Sequence, residues 1–263
     1  MQLTIHQIDA FTTELFKGNY AAVIDLDTWL DDQLMLKIGA ENNISETAFT
    51  CRQADGSYAI RWFSPLMEID FCGHATLAAA FVLCEQHNLS QVRFHAAAVG
   101  ELIINKNSDG SFAMTFPKQA PEACQEVPSE LLAGLSIQPV KVLKSRQAYF
   151  AIYDNEQDVL TLKTDSALLK TLFPLDVVAT APSTDYDFIS RYFWPANGGD
   201  EDYVTGSIHT GLAPYWAQEL GKTSLSAYQA SSRGGQIHCE VEEHTVTVTG
   251  HAVRYMQGTL FLS

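Results

Sequence analysis

The sequence predicts an α+β fold of two related halves, each a β-sheet wrapped on one central α-helix. Three observations carry this. Short stretches rich in β-branched and aromatic residues, separated by turn residues, recur along the chain. Long apolar segments fit for a buried helix begin at Gly73 and at Gly206, one in each half. Three sequence matches also recur in the same order about half a chain apart. Arg61-Trp62-Phe63-Ser64-Pro65 matches Arg191-Tyr192-Phe193-Trp194-Pro195, and Cys72-Gly73-His74-Ala75 matches the region of Val204-Thr205-Gly206-Ser207. Phe94-His95-Ala96 with Gly100-Glu101-Leu102-Ile103 matches Tyr228-Gln229-Ala230 with Gly234-Gly235-Gln236-Ile237. One such match means little; an ordered set argues for duplication.

The elements follow in order. Residues 3–9 and 21–25 read as strands. Leu30, Leu34 and Ile38 with Met35 give a helical stripe over 31–41. Strands are expected at 47–52 and 57–63, then the helix 73–86. Asp109-Gly110 reads as a hairpin turn between strands 102–105 and 111–115. The proline-containing segment 117–128 is the linker candidate, which sets halves of 1–118 and 119–263, with the last strand free to return to the first half. The second half offers strands at 140–144, 148–153, 186–193, 236–241, 245–249 and 253–260. Its helix, 206–220, contains Pro214, which kinks it or sits in its first turns. Strand runs around one long helix per half are the pattern of an α+β layer fold.

Composition limits the partners. The 263 residues are 46% hydrophobic and 18% charged, with a formal net charge of −15. That apolar fraction suits a globular chain. The acidic balance leaves no field to hold a phosphate backbone or an anionic bilayer, so neither nucleic acid nor membrane is expected as a partner. No signal peptide or transmembrane run is read. The five cysteines form no C-x-x-C pair, which fits a reducing, cytoplasmic location. No Cys/His cluster has zinc-ligand spacing, so no metal is expected.

Three places carry candidate chemistry. Glu46, in Ser45-Glu46-Thr47-Ala48-Phe49, sits where a helix gives way to a strand. In an apolar cleft its carboxylate would be raised toward neutrality and would shuttle protons; the plainer alternative is a surface glutamate. Cys72-Gly73-His74 opens the first long helix, so the Gly73 and His74 amides can hold an anion with the helix dipole, and His74 adds a titratable donor. The alternative is that Asp70 or Cys72 merely caps a core helix. In the second half Gly206 and Ser207 would supply matching amides and Asp202 an acidic partner, unless Asp200, Glu201 and Asp202 form a solvated acidic loop. His209, one turn into that helix, is the other histidine of interest.

These strings, with Asp9-Ala10-Phe11-Thr12, Phe16-Lys17-Gly18-Asn19 before Ala21-Ala22-Val23, and Ser232-Arg233-Gly234-Gly235, run in order across nearly the whole chain. The chain resembles the PhzF-like (phenazine-biosynthesis F) isomerases, of the diaminopimelate-epimerase-like fold. The resemblance implies two pseudo-symmetric domains with the site between them, a homodimer, and no metal or organic cofactor. It implies Glu46 as general acid/base, with His74 and Asp202 binding and polarising a small carboxylic-acid substrate. It places the substrate carboxylate on the amides of Gly73, His74, Gly206 and Ser207. Tyr203 stands where the family has proline, and Ile208 departs from its G-S-A-H string, so the cleft rim near Cys72 and Tyr203 bears on specificity. Two other functions fit the sequence less well. A two-thiol epimerase needs a second cysteine, and Cys72 has no counterpart at Tyr203-Val204. A non-catalytic module could keep the small-acid pocket alone.

Overall fold

The computed structural model describes residues 1–262. The chain divides into two compact units, Met1–Thr115 with Thr249–Ser263, and Phe116–Val248. No helix among the described residues is long and apolar enough to cross a membrane.

The first unit runs β1 (Gln2–Ala10), β2 (Asn19–Leu26), α1 (Asp32–Asn42), β3 (Glu46–Arg52), β4 (Tyr58–Phe63), β5 (Glu68–Ile69), α2 (Gly73–His87), β6 (Gln91–Ala96), β7 (Gly100–Lys106) and β8 (Phe112–Pro117). The second runs β9 (Glu122–Ala123), α3 (Ser129–Ala133), β10 (Lys141–Lys144), β11 (Ala148–Ile152), α4 (Glu156–Thr161), α5 (Ser166–Leu169), β12 (Asp176–Pro182), β13 (Phe188–Trp194), β14 (Gly199–Asp202), α6 (His209–Leu220), β15 (Ser224–Gln229), β16 (Gly235–Val241) and β17 (Thr245–Gly250). The final strand, β18 (Ala252–Phe261), pairs antiparallel with β1 along its whole length.

The duplication read from sequence is visible in the strand pairing. In the first unit β2–β3 is parallel, β3–β4 antiparallel, β4–β6 parallel across α2, and β6–β7 antiparallel. In the second, β11–β12, β12–β13, β13–β15 across α6, and β15–β16 repeat that order. The R-x-F string has a physical reason. Arg61 forks onto Glu68 at 2.7 and 2.6 Å with its guanidinium 5.3 Å from the Phe63 ring centre. Arg191 forks onto Glu201 at 2.8 Å through both nitrogens, 5.0 Å from Phe193. In each unit one arginine ties β4 to β5, or β13 to β14, by a planar bidentate pair that a lysine cannot reproduce.

The α2 helix is apolar on every side: Leu77, Ala78, Ala79, Val82 and Leu83 are all fully buried. Such a helix belongs inside a sheet rather than on it. It packs on β1, β2, β3 and β6, where its run of alanines admits close approach. Asn88 closes it in the left-handed region at φ 53°, its N–H donating to the Cys84 carbonyl. In α6, Pro214 falls in the interior and removes the N–H that would bond Thr210. The Thr210 carbonyl instead accepts from the Gln119 backbone N–H at 3.0 Å, so the proline leaves no orphan.

Several expectations need correction. The α6 helix starts at His209; residues 206–208 form a lead-in turn with His209 N–H bonded to Gly206 and Thr210 N–H to Ser207. The segment 117–128 is no free linker. Lys118 N–H donates to His244, and β9 pairs with β10, placing Lys144 opposite Glu122. Strands β6, β12 and β15 and the short helices α3, α4 and α5 were not expected.

Candidate active site

The α1 helix is capped at Asp31, whose carboxylate accepts from Gln33 N–H, and it ends at Asn43 in the left-handed region. The chain then turns into β3, whose first residue is Glu46, in parallel register with Ala21 on β2. Gly18 precedes β2 at φ +63°, and a Cβ there would lie 2.0 Å from the Ala10 carbonyl oxygen. Only glycine fits, and it delivers Asn19, fully buried, to the same end of the sheet. His74 is the second residue of α2. Three local rules thus bring Asn19, Glu46, Cys72, Gly73 and His74 together.

Glu46 and His74 are each 6% exposed. His74 Nε2 lies 2.8 Å from Glu46 Oε2, and His74 Nδ1 lies 3.1 Å from the Asn19 amide and 3.5 Å from Cys72 Sγ. Burial alone pulls the imidazolium down. The Cys72 sulfur and the Glu46 carboxylate outweigh it and hold His74 well above its ordinary 6.5. Burial and the Glu46 charge push the Cys72 thiol up to about 11, so it is neutral near pH 7 and Glu46 is the lasting cause of the His74 shift. Amide orientation follows protonation: a charged His74 needs the Asn19 oxygen, not its nitrogen, against Nδ1. The Glu46, Cys72 and His74 donor atoms lie within 4.8 Å of one another and could hold a soft divalent ion.

The start of α2 is open. Its cap residue Cys72 is extended and makes no side-chain capping bond. The Gly73 and His74 amides have no acceptor among the described residues. Nothing inside the protein demands glycine at 73, since a Cβ there would meet only the Phe71 ring, at 3.8 Å.

The second unit holds the other expected residues in a pinned loop. Asp202 ends β14, and its Oδ2 accepts from Thr205 Oγ1 at 2.5 Å. Gln229, fully buried at the end of β15, donates to the Asp202 carbonyl at 2.9 Å and accepts from Thr205 N–H at 2.8 Å. The Tyr203 carbonyl accepts from Ser231 Oγ, and its ring lies 5.7 Å from the Arg233 guanidinium. The acidic stretch is therefore bonded: Glu201 to Arg191, Asp202 to Thr205. Ser207 Oγ accepts from Gln147 Nε2 at 3.0 Å. Gln147 also donates to Tyr192, whose hydroxyl donates to Asp176 at 2.5 Å. Burial first, then the Asp176 carboxylate, raises Tyr192 well above its usual range. His209 is pushed down to about 4 by burial, so it is neutral and its Nδ1–H donates to Thr205 at 2.9 Å. That makes it a strut for the loop rather than an acid or base.

Sequence reasoning gave no role to Asn19, Thr205, Gln147 or Gln229. Asn19 and Gln229 lie within the recurring strings; Gln147 has no local signal. It occupies, just before β11, the place Asn19 takes at the start of β2, and it touches Ser207 as Asn19 touches His74.

Similarity to known proteins runs the length of the chain. Residues 8–258 match the family model described as phenazine biosynthesis-like protein. The chain is 48% identical to an uncharacterised isomerase of Pseudomonas aeruginosa, with both chains fully covered. The crystal structure of a PhzF-family protein from Enterococcus faecalis superposes with a TM-score of 0.95 at 40% identity over all of both chains. A hydroxyproline epimerase from Agrobacterium vitis, at 12% identity and a TM-score of 0.61 over 98% of this chain and 92% of its own, shares the fold. With the repeated α+β architecture and the family strings in place along it, this chain belongs to the phenazine biosynthesis-like (PhzF) family, among relatives named isomerases.

Proposed function

We propose that this protein is a cofactor-independent isomerase that moves a proton on a small cyclic or unsaturated amino or hydroxy carboxylic acid. The observation that carries the reading is the buried Glu46–His74 pair, 2.8 Å apart, beside the open amides of Gly73 and His74. A helix start with free N–H groups suits a carboxylate without any cationic side chain. In this reading the amides of Gly73 and His74 hold the substrate carboxylate. The Glu46 carboxylate takes a proton from carbon, and the electron pair moves into the adjacent unsaturated system. Charged His74 binds the polar substituent where negative charge develops. Glu46 then returns its proton to a different carbon, so nothing is gained or lost. Cys72 is a neutral wall. A two-thiol epimerase is disfavoured, because the residue before Gly206 is Thr205 where Cys72 precedes Gly73.

The test is Glu46→Gln on a panel of cyclic and unsaturated acids in deuterium oxide, read by proton NMR. The wild type exchanges or isomerises at least one member. The variant loses ~10²–10⁴-fold in rate, the usual share of a general acid/base, while retaining ligand binding. Wild-type activity in the variant, or saturable binding with no exchange in the wild type, refutes the reading; the second result favours a binding module.

A further inference from the structure

We propose that the unit Phe116–Val248 carries a second site, a basic pocket that binds a small multiply charged anion, either a polycarboxylate or a phosphate compound. A cavity of about 580 Å³ opens among Lys118, Gln119, Glu122, Lys144, Ser145 and Arg146. Three of the chain's 16 lysines and arginines line this one cavity, in a protein of net charge −15. Five cations elsewhere, Arg61, Arg93, Arg191, Lys222 and Arg254, are ion-paired to carboxylates. The pocket cations are different. Lys118 Nζ donates to the Glu242 backbone carbonyl at 3.2 Å, and Arg146 Nε to Gln119 Oε1 at 2.8 Å. Lys144 Nζ sits 5.2 Å from the Tyr149 ring centre. Among the described residues none of the three has a carboxylate partner within ion-pair distance, although Glu122 also lines the cavity.

Neutral partners fix the direction of these groups without cancelling their charge. Three cations against the one carboxylate of Glu122 leave the concave wall net positive, and such a wall concentrates small anions. At ionic strengths near 0.1 M, screening over ~10 Å lets an ion inside the pocket respond to these charges rather than to the distant acidic surface. A guanidinium beside two ammonium groups matches an anion with several oxygens, because the fork takes two and each ammonium one more. None of the pocket's lining residues is assigned a part in the proposed reaction, so the proposal does not depend on it. Arg146 is the immediate neighbour of Gln147, which holds Ser207, so an anion on Arg146 would be felt one residue away.

The experiment is calorimetric titration of the full chain with citrate and, separately, with inorganic pyrophosphate, at low salt. One anion binds the wild type saturably, one per chain, and the better binder tells a polycarboxylate site from a phosphate site. Lys144→Ala with Arg146→Ala weakens that binding ~10-fold or more, as loss of charge-assisted bonds requires. The charge-keeping pair Lys144→Arg with Arg146→Lys retains it, which separates lost charge from lost folding. Glu46→Gln binds as the wild type does. No binding of either anion, equal binding by the double alanine variant, or loss of binding in Glu46→Gln overturns the proposal.

Discussion

Replacing Glu46 by glutamine should move the titration of His74, and the structure sets the scale. The two groups are 2.8 Å apart and each side chain is 7% exposed. At an effective dielectric of ~20, unit charges at that distance attract by about 6 kcal/mol. Removing two ions from water costs several kcal/mol each, so the pair comes close to balancing its own desolvation. Glutamine keeps the volume and an oxygen but removes the charge. Burial, the largest influence on His74, is then opposed by the Cys72 sulfur alone, and the imidazole titrates lower than in the wild type. Because His74 can shed its proton, the loss of stability should stay under the ~3–5 kcal/mol that a stranded buried charge costs. Its pH dependence has a definite sign. In the wild type the raised His74 contributes stability that is fully present below 6.5 and is lost as pH rises through its folded value. In the variant the lowered His74 contributes less of this stability. The stability gap therefore widens toward acid and closes toward alkali. Imidazole nitrogen NMR gives the titration, and urea unfolding at several pH values gives the gap. A His74 that titrates alike in both proteins, or a gap that does not widen below 6.5, would refute this reasoning.

Three further predictions rest on single substitutions. Gly73→Ala should fold as the wild type does, because its Cβ meets only Phe71 at 3.8 Å, yet should raise KM for any carboxylate substrate by ~10-fold or more by crowding the helix start; unchanged KM in steady-state assays would place the substrate carboxylate elsewhere. Arg191→Ala should lower unfolding free energy by about 3 kcal/mol, since Arg191 also donates to the Val159 and Leu162 carbonyls and is 16% exposed. Arg61→Ala, at 26% exposure with exposed partners, should cost about 1 kcal/mol in the same urea measurement.

The parts of the fold legible in the sequence are those whose pattern is local. Leu30, Leu34 and Ile38 mark α1 to within a residue, and Asp109-Gly110 marks the turn between β7 and β8. Strand β6 alternates exposed and buried residues, a period the sequence does carry. Strand β12 is different: Val177 to Ala181 is buried on both faces, so no alternation exists to be read. The helix α6 begins later than expected because Gly206 and Ser207, which open the apolar run from Ile208, make a tighter turn instead. At the site, Glu46 and His74 are named by the family strings, but their 2.8 Å contact arises only from the parallel pairing of β2 and β3 around α2. Gln147 lies furthest from legibility, because its role is made wholly by the hairpin that carries it to Ser207.

The antiparallel pairing of β18 with β1 also fixes an order of events during synthesis. The unit Phe116–Val248 is continuous in sequence, so it is synthesised whole before β18. The unit that holds Glu46 and His74 emerges first yet lacks its outer strand until then, with β1 exposing an unpaired edge throughout. The edge of β1 that β18 covers is thus made before the unit Phe116–Val248 and closed only after it, and aggregation through that edge is a hazard until β18 docks.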